Sequence, residues 1–214
     1  MTFDVFSALI LTICLLFFFT LNLLNLLLHS RSRAACKYLK DRKHKLPKHL
    51  IMVLAAFGTM VYWLEVLLYP FLVFTGLFSM TKVNPLQIDL PYNQFLRWLG
   101  LDLLVFGFFL FSWSVLTRGK HAVSWEMPEN HVLVTWGPYG LVRNPSYLSY
   151  FMMFFGIFFL WLNFLAAIPL IAIPGYISIV EDEERMLVER FRDDYLRYQE
   201  SVGKFIPKLR KKKN

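Results

Sequence analysis

Two polar segments in an otherwise apolar chain carry side chains that could do chemistry. The first runs from His131 to Tyr147 and contains Leu133, Val134, Gly137-Pro138-Tyr139-Gly140 and Arg143-Asn144-Pro145-Ser146-Tyr147. Gly137-Pro138 and Gly140 permit a tight backbone path and close approach of a ligand. Pro145 suits the first turn of a helix, and Asn144 before it is an apt N-cap. Such a helix start offers unpaired N–H groups and a positive dipole end, which favour a carboxylate. The second segment, Glu181-Asp182-Glu183-Glu184, could hold an ammonium or ribose hydroxyls. A ligand with both kinds of group, such as the methionine part of S-adenosylmethionine, fits between them.

The elements that must position these residues are membrane spans. The chain has 214 residues, 57% of them hydrophobic, and its apolar runs are long enough to cross a hydrocarbon core of roughly 30 Å. Five spans are expected, at about Val5–Leu28, Leu50–Phe78, Phe95–Leu116, Pro145–Trp161 and Phe164–Val180. Pro70 interrupts the second, which predicts a kink or an interfacial tail. Only Leu162 and Asn163 join the last two, so they form a tight antiparallel hairpin whose two polar ends meet at one membrane face. The first run lacks a basic leader and is too long for a signal peptide, so it reads as a retained span. The fold class is an all-α polytopic membrane protein. Residues 1–116 form an N-terminal membrane region with a basic loop at 29–49. Residues 117–214 form a catalytic region with the hairpin at 145–180 and a tail at 181–214.

Charge placement orients the chain. The net charge is +8, and the basic residues gather between Arg31 and Lys48, around Arg118, Lys120 and Arg143, and in the tail at Lys208–Lys213. The positive-inside rule then puts the N-terminus outside and the C-terminus in the cytosol, consistent with five crossings. Contact with anionic membrane lipids follows. The basic loop has only Tyr38 as an aromatic, so no nucleic-acid partner is expected. Cys14 lies in a span and Cys36 in a loop, which suggests neither a disulfide nor a metal site. There is no internal repeat, phosphate loop or dinucleotide fingerprint.

In sequence order the two segments resemble the isoprenylcysteine carboxyl methyltransferases and the related phospholipid methyltransferases. That pattern is His-x-Leu-Val, Gly-x-Tyr and Arg-His-Pro-x-Tyr, then a helical hairpin followed by Glu-Glu, Phe, Tyr and a late Pro. It is matched by His131, Leu133, Val134, Gly137, Tyr139, Arg143, Pro145, Tyr147, Glu183, Glu184, Phe191, Tyr195, Tyr198 and Pro207. The resemblance covers the C-terminal half, from about Arg118 to Leu209. It implies S-adenosylmethionine as cofactor and a lipid-like or prenylated acceptor arriving from the bilayer. It also implies a cofactor site made by His131, Leu133, Val134, Tyr139, Asn144, Pro145, Ser146, Tyr147, Glu183 and Glu184. The implied reaction needs no metal.

Two positions depart from that pattern. Asn144 replaces the usual His, and an amide cannot act as a base near neutral pH. Ile179 stands four residues before Glu183, where isoprenylcysteine enzymes carry an Arg suited to a substrate carboxylate. No catalytic residue is assigned, and the acceptor stays open. Two other functions compete: an NADPH-dependent sterol-type reductase, and an inactive membrane scaffold. The reductases have Cys and Lys-Tyr-Gly after the acids, where this chain reads Met186-Leu187-Val188-Glu189-Arg190-Phe191.

Bland accounts stand beside these. His131 alone reads as a solvated loop residue, Asn144 as a cap, and Glu183 and Glu184 as acids opening a charged helix. Neighbouring helical residues also point about 100° apart, so both acids facing one ligand would be unusual. Glu65 in mid-span could line an acceptor tunnel, whereas Asp102 lies near a span end, where it can snorkel. Leu187, Phe191, Tyr195, Tyr198 and Val202 share a helical face and read as one amphipathic helix closing the site. The ending Lys211-Lys212-Lys213-Asn214 resembles a dilysine retrieval signal. The expected membrane is the endoplasmic reticulum in a eukaryote and the cytoplasmic membrane in a prokaryote.

Overall fold

Hydrocarbon offers no hydrogen bonds, so apolar runs of backbone that cross it must pair internally as helices. The computed structural model follows that rule and describes residues 2–34, 49–78, 86–119 and 132–208, without the side chains of 29–34 and 49. The basic loop at 35–48 with Cys36, His131, and the tail from Leu209 onward lie outside the described residues. The helices are α1 (Phe3–Ala34), α2 (His49–Phe74), α3 (Asn93–Arg118), α4 (Pro145–Trp161), α5 (Ala172–Phe191) and α6 (Asp193–Ser201). Short 3-10 turns occupy Gly137–Gly140 and Leu165–Ile171.

Four stretches are long and apolar enough to span a membrane: Phe3–Leu28, Leu50–Phe74, Asn93–Arg118 and Leu165–Phe191. Pro145–Trp161 is a fifth, shorter apolar helix. Large side chains such as Ile13, Leu16, Leu64, Phe71, Phe106 and Phe109 point outward and are exposed, as lipid-facing residues should be. This is an integral membrane protein.

The core lies between α1, α2, α3 and α4, where Leu11, Tyr62, Val66, Leu104, Phe108, Met153, Phe154 and Ile157 are buried. Small residues let the backbones approach. A Cβ on Gly100 would lie 2.4 Å from the Leu160 nitrogen, and one on Gly156 would lie 2.8 Å from Leu104 Cγ. Gly175 likewise brings α5 against α2, since its Cβ would lie 2.6 Å from that of Ala55. Close packing of small residues is how helices associate where lipid removes the hydrophobic drive.

Three expectations change in detail. The helix α2 runs through Pro70 and ends at Phe74, after which Gly76 takes a positive φ of 76°. The chain then returns Phe78 onto Tyr69 and Trp161, with ring centroids 5.0 and 6.1 Å away. The hairpin turn at Leu162 and Asn163 forms as expected, with Leu162 left-handed at φ 49° and the Asn163 side-chain Oδ1 accepting from the Leu165 N–H. Its returning limb, however, starts as 3-10 helix containing Pro169 and does not stop at Val180. Helix-favouring residues continue to Phe191, so Glu183 and Glu184 lie inside α5, about two turns before its end. Finally, the stripe from Leu187 to Val202 is split between two helices. Arg192 breaks it at φ 46°, and Asp193 and Asp194 open α6.

Candidate functional site

The site grows from the face where α3 ends, α4 begins and α5 ends. Gly137 adopts a φ of 61°, and a Cβ there would lie 2.9 Å from Thr117 Oγ1. Glycine therefore lets the 3-10 turn lie directly on the end of α3. The turn buries Pro138 and Tyr139. Tyr198 of α6 donates its hydroxyl proton to the Tyr139 carbonyl at 2.6 Å, which pins the turn from the other side. The Tyr139 phenol is held above its usual pKa chiefly by burial.

The next residues are clamped to the tail. The Arg143 and Asn144 N–H groups donate to the carbonyls of Gly203 and Lys204 at 2.8 and 3.2 Å. Arg143 forks onto Glu184, with Nε 3.0 Å from Oε1 and Nη2 3.2 Å from Oε2. Both side chains are only 8% exposed. Arg143 Nη1 reaches the Val202 carbonyl at 2.5 Å and that of Gln199 at 3.2 Å. Burial opposes the Arg143 charge, but Glu184 outweighs it and keeps the guanidinium pKa above its ordinary value.

Asn144 precedes α4 as expected, yet its side chain makes no capping bond. Its Nδ2 donates instead to Glu184 Oε1 at 2.8 Å. The cap reading of that side chain is therefore corrected: the amide is oriented by its NH2, which donates to a buried carboxylate in a charge-assisted bond, and its oxygen accepts from no N–H of the first turn. Gln199 completes the cluster by donating to Glu184 Oε2 at 3.3 Å. Glu184 thus binds α4, α5, α6 and the tail together.

Glu183, the next residue along α5, points elsewhere. Tyr147 donates its hydroxyl proton to Glu183 Oε1 at 2.8 Å. One residue closer to the start of α4, Ser146 Oγ accepts from Arg118 Nη2 at 3.2 Å and lies 3.5 Å from the Tyr139 hydroxyl. Tyr139, Ser146, Tyr147 and Glu183 therefore converge, together with Arg118. Arg118 is the residue that sequence reasoning left to topology. Its signal was its place in the last turn of α3, just before the polar segment.

From this cluster an aromatic path leads into the membrane. Tyr147 and Tyr176 have centroids 5.5 Å apart, and Tyr150 stacks on Tyr176 at 5.3 Å with planes 19° apart. The Tyr176 hydroxyl lies 2.7 Å from Thr59 Oγ1 on α2, and Phe154 links Tyr176 to Tyr62. Pro145 is buried at the first position of α4, and Leu133 and Val134 lie half-buried in the extended stretch before Gly137. An open groove of about 470 Å³ beside Glu184 is lined by Glu181, Arg185, Val188, Glu189, Gln199 and Lys204. None of the converging residues lines it, and it reads as a solvated groove between charged side chains.

Comparison with known proteins bears on the same region. The profile of the phospholipid methyltransferase family matches residues 95–194. Three relatives bear the name protein-S-isoprenylcysteine O-methyltransferase. The one from Tribolium castaneum is 35% identical over 126 residues, which is 55% of this chain and 44% of that protein. The one from Xenopus laevis is 32% identical over 124 residues, 56% of this chain and 43% of that protein. The one from Saccharomyces cerevisiae is 32% identical over 114 residues, 51% of this chain and 48% of that protein. The chain thus spans less than half the length of these relatives. A solved structure of the eukaryotic intramembrane Ras methyltransferase, an isoprenylcysteine carboxyl methyltransferase, is 26% identical with a TM-score of 0.47. That likeness covers 76% of this chain and 54% of the other.

Proposed function

We propose that this chain, a member of the isoprenylcysteine carboxyl methyltransferase-like and phospholipid methyltransferase-like family of membrane methyltransferases, transfers a methyl group from S-adenosylmethionine to a lipid-like or prenylated acceptor. The observation that carries this reading is the convergence of Tyr139, Ser146, Tyr147 and Glu183 at one membrane face, at the head of an aromatic path into the bilayer. Residues 1–116 frame that path and residues 117–214 carry the site. The basic segments put the site on the cytosolic side, in the endoplasmic reticulum of a eukaryote or the cytoplasmic membrane of a prokaryote.

The residues fit the donor. Its ammonium needs an anion, which Glu183 supplies. Its adenosine needs apolar contacts and hydroxyl partners, which Leu133, Val134, Tyr139 and Ser146 supply. The start of α4 at Asn144 and Pro145 completes the enclosure, and His131 is assigned to the cofactor from the family pattern alone. Glu184 serves indirectly, by holding Arg143 and Asn144 in place.

When bound, S-adenosylmethionine supplies an electrophilic sulfonium methyl. The protein aligns the acceptor with that methyl and excludes water. Tyr147 keeps Glu183 oriented, and the wall of Tyr150, Tyr176 and Phe154 guides an apolar acceptor. A carboxylate acceptor is already ionised at neutral pH, so Asn144 is not asked to remove a proton. That agrees with a prenylcysteine carboxylate better than with an ammonium acceptor.

The test is calorimetric titration of detergent-purified protein with S-adenosylhomocysteine, with NADPH in parallel. Saturable binding of S-adenosylhomocysteine that Glu183→Ala abolishes is the expected result. Binding of NADPH instead would make the protein a reductase, and binding of neither by folded protein would make it a scaffold.

A further inference from the structure

Arg118 ends α3 among the converging residues, and among the described residues no carboxylate lies within ion-pair distance of it. Its Nη2 donates to the neutral Ser146 Oγ at 3.2 Å. Its Nε is fully buried and meets no acceptor among the described residues. It is close enough to Tyr139, Tyr147 and Glu183 to act on each electrostatically. The acid of this group, Glu183, accepts from Tyr147.

A cation in the last turn of a helix is favoured by the helix dipole, which is the bland account of Arg118. A purely topogenic arginine, however, snorkels so that water solvates its head. Here the guanidinium is half-buried and turned inward onto the first turn of α4. Leaving a buried N–H unsatisfied is costly, and a guanidinium is shaped to take a planar anion through two parallel hydrogen bonds. Ser146 occupies one end of that fork, and the buried Nε leaves the other without an acceptor.

We propose that Arg118 is the carboxylate-binding residue of this site, taking the carboxylate of either the donor's methionyl part or the acceptor. The geometry gives a reason for the apolar residue at 179. Ile179 is 4% exposed in α5, while the cation is supplied by the last turn of α3. The proposal rests on the methyltransferase reading above.

Two matched ligand pairs test it by calorimetry in detergent. S-adenosylhomocysteine against 5′-methylthioadenosine differs by the amino acid end, and S-farnesylcysteine against its methyl ester differs by the carboxylate charge. The native protein is expected to prefer the carboxylate member of at least one pair by about ten- to a hundredfold. Arg118→Gln is expected to abolish that preference, and Arg118→Lys to keep part of it. The pair affected identifies which carboxylate is held. Unchanged preferences in Arg118→Gln, or native protein that binds the adenosine ligands without preference in either pair, would overturn the proposal and leave the methyltransferase reading intact. Native protein that binds none of the adenosine ligands would overturn both. Melting curves of each variant separate loss of the site from loss of the fold.

Discussion

Tyr147 and Glu183 face each other across the open end of the hairpin, hydroxyl to carboxylate at 2.8 Å, although 36 positions separate them in sequence. Tyr147 lies in the first turn of α4 and Glu183 past the middle of α5, and the turn at Leu162 and Asn163 that brings the helices together lies at the other end of the hairpin. The bond thus reports whether the hairpin is correctly closed as well as what the site contains.

Removing the carboxylate should therefore cost more than removing the hydroxyl. Glu183→Ala is expected to weaken S-adenosylhomocysteine binding by about ten- to a hundredfold, the usual effect of losing a charged partner. Tyr147→Phe, which leaves Glu183 in place, should cost about fivefold. Calorimetry on both variants checks the order, and equal affinity in Glu183→Ala and the native protein would remove Glu183 from the site.

Arg143 and Glu184 form a buried pair, each 8% exposed, and stability should depend on both being present. Glu184→Ala or Arg143→Ala is expected to lose about 3–5 kcal/mol, because the remaining charge stays buried without its partner. The double substitution should cost less than the sum of the two. Thermal melts of the four proteins in one detergent give that coupling, and simple additivity would mean that the pair does not interact.

Asn144→Asp places a second carboxylate at a 2.8 Å contact with Glu184. Repulsion raises the new acid's folded-state pKa above its unfolded value of about 3.9. An acid raised on folding is destabilising above that value, with the cost growing until pH passes the folded pKa. The variant should melt below the native protein at pH 7 and approach it as the pH falls towards 4. A constant difference across that range would show that the amide is not held against a charged carboxylate.

The contact between α3 and α4 leaves no room for a methyl group at Gly100, where a Cβ would lie 2.4 Å from the Leu160 nitrogen. Gly100→Ala should destabilise by about 1–3 kcal/mol through overpacking. Gly76→Ala has open space around its Cβ and should show only the smaller cost of its positive φ. Comparing their melting temperatures tests whether close approach sets the helix contact.

Apolar run length and the two-residue turn made the spans and the hairpin legible in the sequence, and the ordered motifs placed Tyr139, Tyr147 and Glu183 together. Residue type alone could not say whether the Asn144 side chain would accept from a backbone N–H or donate to a distant carboxylate, since an amide can do either. Nor could periodicity reveal the break at Arg192, because Tyr195 and Tyr198 keep a helical spacing with Leu187 and Phe191. The acids Asp193 and Asp194 were the local sign of a new helix. Arg118 was hidden for a different reason: a basic residue closing a span is accounted for by topology until its buried Nε is seen.

On the proposed methyltransferase reading, the brevity of α4 bears on how an acceptor arrives. Its 17 residues rise only about 25 Å, less than the roughly 30 Å of hydrocarbon in a typical bilayer. Lipid beside this helix must thin, or water and headgroups must dip inward, and its exposed flank becomes a shallow place in the membrane. An anchored acceptor could then present its polar end below the general headgroup level without leaving the lipid, so the shape of the bilayer would itself share in substrate delivery.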